Sequence, residues 1–304
     1  MLCPVRGNDL TPYATADYYL PGSPHVITNI LCCQHCEALV RAIPPQQVHD
    51  HCSVASYTNL ANEPLYRRQR DKYFIFLFNV FRKYFTKQGP RYLDFGCSYG
   101  HFMEVLRSRG WNVTGVEFVA PLREYCAAKG LVVFESLEAL ENAGEEEPFG
   151  LIALIDVLYH LSDPNPLMAS LRKLLRDDGV LLIRVTNRYG LTRLLKRVFR
   201  RSHFRYQVLG DATVTYSKKT MDRLLANHGF TVVERRYWEG GKREEWKFTL
   251  FSLLTAPLCW ITGGRVMLTP GLTVLAKKVR PQTGVASRER TASAGEGTSA
   301  REHP

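Results

Sequence analysis

Apolar residues along the chain fall into two rhythms, short continuous runs and stripes at helical spacing, and the two alternate. Tyr92-Leu93 is an apolar pair preceded by Pro90. Gly96 and Gly100 then punctuate a turn, and Phe102, Val105 and Leu106 recur at helical spacing until Gly110 stops the helix. Residues 92–118 thus predict a strand, a glycine turn, a helix and a second strand that closes on Glu117. Leu151 to Ile155 is uninterruptedly apolar, as a strand covered on both faces of a parallel sheet must be. After it, Asp163-Pro164 opens a helix with Leu167, Leu171, Leu174 and Leu175 as its buried stripe, and Asp178-Gly179 ends that helix before a strand from Val180 to Val185. Tyr66 to Phe85 reads as a long helix whose Tyr73, Phe74, Leu77, Phe78 and Phe81 form an aromatic stripe suited to a core. The alternation predicts an open α/β fold.

In such folds ligands sit at the carboxyl ends of the strands, where glycine lets backbone approach and a later carboxylate grips ribose hydroxyls; Gly96, Gly100 and Glu117 hold those places. A dinucleotide turn needs glycines where Ser98 and His101 stand, and a phosphate-cradling loop needs a lysine after Tyr99-Gly100. Both are missing. Asp94, directly before the turn, repels phosphate and attracts a cation. With these residues in place, Asp94-Phe95-Gly96-Cys97-Ser98-Tyr99-Gly100 resembles the D-x-G-x-G-x-G motif of the class I S-adenosylmethionine-dependent methyltransferases, with serine at the middle glycine. Residues 148–187 resemble the later strand, loop, helix and strand of that family, and Tyr216 to Phe230 resembles its last helix.

The resemblance implies a Rossmann-like seven-stranded, mostly parallel sheet with helices on both faces and a small amino-terminal appendage. Thr231–Arg235 and Leu272–Lys277 would be the last two strands, with residues 239–270 inserted between them. It implies S-adenosylmethionine as cofactor, bound by Asp94, Gly96, Ser98, Gly100 and Glu117. Phe118, Ser136 and Leu137 would lie at the adenine, and Asp156 and Val157 at the methionine. His160, whose ordinary pKa suits a proton acceptor near neutrality, is the catalytic candidate. Tyr66 to Arg68 would cover the cofactor. The acceptor is read as a small molecule, a sugar or lipid-linked glycan; an RNA methyltransferase and a non-catalytic interaction module are the alternatives.

Composition sharpens the partners. The net charge of +11 does not come from the tail, where Arg288, Arg290 and Arg301 offset Glu289, Glu296 and Glu302. Instead Arg184 to Arg205 holds eight Lys or Arg residues and no acid. Leu191, Leu194, Leu195, Val198 and Phe199 follow helical spacing there, while Arg193, Lys196, Arg197, Arg200 and Arg201 take the other face. This amphipathic helix predicts a membrane surface or another anionic partner. Aromatics are not interleaved with the cations as nucleic-acid stacking requires, which speaks against RNA. Phe248 to Ile261 is too short and interrupted to span a bilayer. Met1 to Pro4 carries no secretory signature, so a cytoplasmic location, peripheral to a membrane if the helix binds one, and free thiols are expected. The expected division is an appendage over 1–60, a methyltransferase domain over 61–280 and a disordered tail over 281–304.

Within the appendage, Cys3-Pro4-Val5-Arg6-Gly7-Asn8 and Cys33-Gln34-His35-Cys36 resemble the zinc ribbon that precedes the domain in some sugar-modifying members. Arg6 replaces the second cysteine. The break weighs against a metal. Zinc, if bound, would fall to Cys3, Cys33 and Cys36, completed by Cys32, His35 or His51.

Overall fold

The computed structural model describes residues 1–18, 26–54, 58–84, 91–144, 147–186, 189–200, 202–205, 209–236, 253–255, 257–258, 260–263 and 271–279. Phe85, Pro90, Glu145, Arg188, Arg201, most of the 239–270 insertion and the 281–304 tail lie outside the described residues, as do the side chains of His51 and Leu191.

The predicted alternation becomes seven strands: β4 (Arg91–Phe95), β5 (Asn112–Val116), β6 (Val132–Phe134), β7 (Phe149–Ile155), β8 (Leu175–Thr186), β11 (Phe230–Arg236) and β12 (Gly271–Lys278). Their order is β11-β12-β8-β7-β4-β5-β6. The strands from β8 to β6 run parallel, and β12 lies antiparallel between β8 and β11. This is the mixed Rossmann-like sheet that the sequence predicts. The chain enters at β4 and winds out in opposite directions, so the crevice for a ligand opens at the carboxyl ends of β4 and β7.

Helices cover both faces. On one, α2 (Glu63–Phe81) buries Tyr73, Phe74, Leu77 and Phe81, with Phe74 stacked on Phe102 of α3 (His101–Arg107) at 5.4 Å. The same layer holds α4 (Ala120–Ala128) through Cys126. On the other face lie α5 (Leu137–Asn142), α6 (Asn165–Leu174) and α8 (Lys218–Asn227), which bury Leu140, Met168, Leu171, Met221, Leu224 and Leu225 against the sheet. Ser217 caps α8, its hydroxyl accepting from the Thr220 amide at 3.1 Å. Leu175 departs from its expected place: it does not extend the α6 stripe but starts β8, paired with Phe149 ahead of a register shift. Once an extended backbone at Leu175 closes the helix, strand pairing takes a residue whose spacing alone reads as helical.

A second sheet joins the amino-terminal strands to two short strands that follow β8. β1 (Thr11–Tyr18), β2 (Val26–Cys32) and β3 (Leu39–Arg41) are joined by β9 (His203–Phe204) and β10 (Val214–Thr215), in the order β10-β3-β2-β1-β9. Arg41, almost fully buried, fastens it. Its guanidinium donates to the carbonyls of Asp17, Gly210 and Ala212 at 3.2 Å and to the Thr28 hydroxyl at 2.7 Å, and stacks over Tyr18. Cys3, Val5, Cys33, Cys36, Ala38 and Val40 share one buried cluster with Met168, Tyr216 and Leu224, so the appendage and the main core are continuous. After β3, α1 (Pro45–Val54) crosses toward the crevice. The basic helix forms as α7 (Tyr189–Phe199) and leans on this sheet, with Lys196 3.7 Å above the Tyr13 ring and Arg193 3.5 Å from Glu37.

Candidate functional site

A cavity of about 800 Å³ opens at the carboxyl ends of β4, β5, β6 and β7, roofed by α1 and α2. Its floor is the turn after β4. Gly96 takes φ +75°, and a Cβ there would stand 2.4 Å from Val157 Cγ2, so side chains are excluded on both conformational and steric grounds. Ser98, at φ +50°, turns its hydroxyl into buried space without a hydrogen-bond partner among the described residues. Gly100, at φ +73°, plays a different part: it does not line the cavity but packs on Leu131 and Cys126, where a Cβ would meet them at 2.6 and 3.1 Å.

Two buried carboxylates face this turn. Glu117, at the end of β5, accepts from the Ser98 amide at 2.9 Å and from the Val119 amide at 3.0 Å, locking the turn against the next strand. Burial raises its pKa despite those donors. Asp94 is pushed up to about 7, first by burial and further by the charge of Glu117, with the Tyr92 hydroxyl opposing. A cation in the cavity would relieve both. An unpartnered serine hydroxyl and two desolvated carboxylates beside a glycine floor are a donor set suited to a cationic ribonucleoside.

The other predicted residues divide by what their side chains do. Phe118 is 44% exposed on the cavity wall, its ring 4.9 Å from that of His49 on α1. Ser136 caps α5 through the Ala139 amide at 3.1 Å, and with Leu137 lines the wall beyond β6. Asp156, in a left-handed conformation at φ +63°, is held by Arg184 and by Arg70 Nη1 at 2.9 Å, so its carboxylate is already neutralised. Val157 supports Gly96 from below. His160 faces the cavity with its Nε2 3.9 Å from Asp211 Oδ2.

Sequence reading places Tyr66 over the cofactor but overlooks other parts of the lining. Tyr66, Arg70 and Phe74 lie four residues apart on α2 and present one face to the cavity, so the aromatic stripe serves both core and site. That spacing was visible. Pro45, Val48, His49 and Cys52 of α1 also line the site, and nothing in their local pattern announces it. His101, just past Gly100, is buried with Nε2 2.7 Å from Glu63 Oε1. Burial pushes its pKa down. Burial also lifts Glu63, but hydrogen bonds from Arg67 and His101 outweigh it and hold Glu63 at about 2. Arg67 bridges Glu63 and Glu104, tying α2 to α3 rather than reaching the cavity.

A family model described as a methyltransferase domain matches residues 66–235. The chain is 32% identical over 110 residues to a ubiquinone biosynthesis O-methyltransferase from Actinobacillus pleuropneumoniae, covering 33% of this chain and 47% of that protein. It is 32% identical over 106 residues to the protein of the same name from Xylella fastidiosa, covering 33% and 43%. The chain thus spans about half the length of the curated relatives it matches. Among solved structures it resembles the plantazolicin methyltransferase BamL in complex with a desmethyl analogue and SAH, with a TM-score of 0.52, 18% identity and coverage of 78% of this chain and 94% of that chain. It also resembles a chain in the complex of the Haloferax volcanii Trm112 methyltransferase activator with a putative methyltransferase, with a TM-score of 0.51, 11% identity and coverage of 73% and 97%. At these identities the two structures show the fold.

Proposed function

This chain belongs to the methyltransferase-domain family, and from that premise we propose that it methylates an oxygen of a small-molecule acceptor with S-adenosylmethionine as donor. The observation that carries the proposal is the convergence of Asp94, Ser98 and Glu117 on one glycine floor at the topological switch of the sheet. When bound there, S-adenosylmethionine supplies a methyl group made electrophilic by its positive sulfur. Glu117 would accept hydrogen bonds from the ribose hydroxyls, and Ser98 would turn its free hydroxyl to the ligand. Asp94 would place negative charge near the ligand's cationic end. Phe118 with His49, and Ser136 with Leu137, would hold the adenine.

The acceptor side of the cavity pairs the apolar Phe74, Tyr159, Leu161 and Leu167 with the polar His160, Ser162, Asp163 and Ser170. That mixture supports a hydroxyl-bearing acceptor with an apolar portion, and we favour a sugar or lipid-linked glycan. The O-methyltransferase names of the curated relatives support oxygen as the atom modified. His160 would take the acceptor's hydroxyl proton, with Asp211 stabilising the resulting imidazolium. Most of the rate would come from alignment of acceptor and methyl carbon. The basic helix α7 would face an anionic membrane surface, since its Leu194, Val198 and Phe199 are exposed beside its cations.

Titration calorimetry with S-adenosylmethionine and S-adenosylhomocysteine, and with NAD as control, tests the cofactor. Micromolar binding of the first two alone is expected, and no binding of either would refute the proposal. His160→Asn should then leave cofactor affinity unchanged and remove the acid limb of the methylation pH profile measured at saturating cofactor; an unaltered profile would exclude His160 as proton acceptor.

A further inference from the structure

Cys3 and the pair Cys33 and Cys36 come from two turns of the same construction. In the first, the Cys3 amide donates to the Asn8 carbonyl at 2.8 Å, and the Gly7 amide returns to the Cys3 carbonyl at 2.7 Å. In the second, the Cys33 amide donates to the Ala38 carbonyl at 2.9 Å, and the Glu37 amide returns to the Cys33 carbonyl at 2.9 Å. The fifth residue of each turn is left-handed, Gly7 at φ +71° and Glu37 at φ +67°, a conformation uncommon for a side chain such as glutamate. The turns face each other and bring three buried Sγ atoms within 4.8 Å of one another, Cys3 and Cys36 at 3.5 Å. Zn–S bonds of about 2.3 Å in a tetrahedron separate sulfurs by about 3.8 Å, so the triangle already has nearly that size.

Among the described side chains of the appendage none offers a fourth corner. Arg6 and His35 are exposed, and Cys32 points its Sγ to the Cys33 carbonyl within a different cluster. The main core holds a candidate. Tyr216, between β10 and α8, is fully buried in the cluster that holds the three cysteines, and lies within electrostatic reach of Asp163, Cys3 and Cys36. Its hydroxyl has no hydrogen-bond partner among the described residues. Thr220 of α8 also braces the second turn, donating to the Cys36 carbonyl at 2.8 Å. A buried phenol without a partner among the described residues, in the same cluster as three thiols, leaves room for a shared ligand.

We propose that Cys3, Cys33 and Cys36 bind one zinc ion as thiolates, with the Tyr216 hydroxyl as neutral oxygen donor at the fourth position. Binding releases the three thiol protons and leaves a site of net charge −1. The ion joins two turns of the amino-terminal segment to the strand-helix junction of the main core, and so fixes the sheet from which α1 departs to roof the cavity.

Metal analysis of the full chain, purified without chelator, should find one zinc per molecule. The metal-depleted chain should bind one equivalent of cobalt(II) with thiolate charge-transfer absorption and the intense visible bands of a tetrahedral site, both displaced by zinc. Zinc should protect three thiols from alkylation in the unmodified chain, a readout that requires no variant to fold. Tyr216→Phe should retain the charge-transfer absorption, shift the visible bands and weaken zinc binding by about tenfold or more. Absence of the cobalt charge-transfer band, equal alkylation with and without zinc, or a Cys3–Cys36 disulfide in the purified chain would overturn the site. Unchanged bands and affinity in Tyr216→Phe would overturn the fourth donor.

Discussion

Asp94 and Glu117, both raised by burial, are the groups through which the site should respond to pH. The Asp94 carboxyl lies near 7 in the folded chain against an ordinary value of 3.8, so its protonated form favours the ligand-free fold. That contribution is complete below about pH 4 and is lost as pH rises toward 7. A bound cation reverses the balance by favouring the carboxylate. Cofactor affinity should therefore rise about tenfold per unit as pH climbs to 7 and level off above it. Calorimetry at pH 6 in buffers of different ionisation enthalpy should show nearly one proton released per ligand; buffer-independent heats would remove Asp94 from the binding event. Glu117 needs a gentler substitution than alanine. Because its oxygens already accept from the Ser98 and Val119 amides, alanine would strand two backbone donors and lower stability even without ligand. Glu117→Gln keeps one amide-accepting oxygen and should weaken cofactor binding by about 1.5 to 3 kcal/mol, the range for a charge-assisted hydrogen bond. An affinity equal to that of the unmodified chain would show that the ribose is held elsewhere.

Elements differ in how much of them the sequence discloses, and the difference follows from range. The turn after β4, the apolar run of β7 and the capped start of α8 rest on neighbours within one or two turns of chain, so spacing and side-chain chemistry suffice. The neutralisation of Asp156 by Arg70 joins residues 86 positions apart, and the bond from Arg41 to Ala212 joins residues 171 apart. No periodicity carries such pairs. Arg41 is also the element-scale weak point: Arg41→Met removes a buried donor from three carbonyls and a hydroxyl and should cost on the order of 3 kcal/mol in denaturant unfolding. A loss well under 1 kcal/mol would mean that apolar packing alone closes the second sheet. Helix α7 was legible as amphipathic, but its surroundings were not, for Leu195 packs on the second sheet while Val198 and Phe199 stay 60% exposed. Vesicles containing phosphatidylserine should therefore retain the chain at low salt, and Phe199→Glu with Val198→Glu should abolish retention. Equal retention on neutral vesicles at high salt would exclude a charge-driven contact.

At the scale of the whole molecule, the appendage and the methyltransferase fold line one cavity from opposite sides. The floor of the cavity belongs to β4 and β5, whereas part of its roof, Val48 and His49, belongs to a helix that hangs from the second sheet. Because β9 and β10 complete that sheet from residues beyond β8, the roof is anchored in the main core at both ends of its own sheet. A ligand between floor and roof must then stabilise both. At 100 times its dissociation constant a ligand adds about 2.7 kcal/mol to the state that binds it. Amides that exchange only when the site opens should slow by about 100-fold, since 1.4 kcal/mol corresponds to a factor of ten. S-adenosylhomocysteine is the ligand to use, because it occupies the site without turning over. Hydrogen exchange should slow in residues 94–100 and 116–119, and equally in α1 and β3. Protection confined to the floor would mean that α1 opens without releasing the ligand, and that the appendage serves stability rather than binding. Equal protection of floor and roof would make the amino-terminal segment part of the cofactor site.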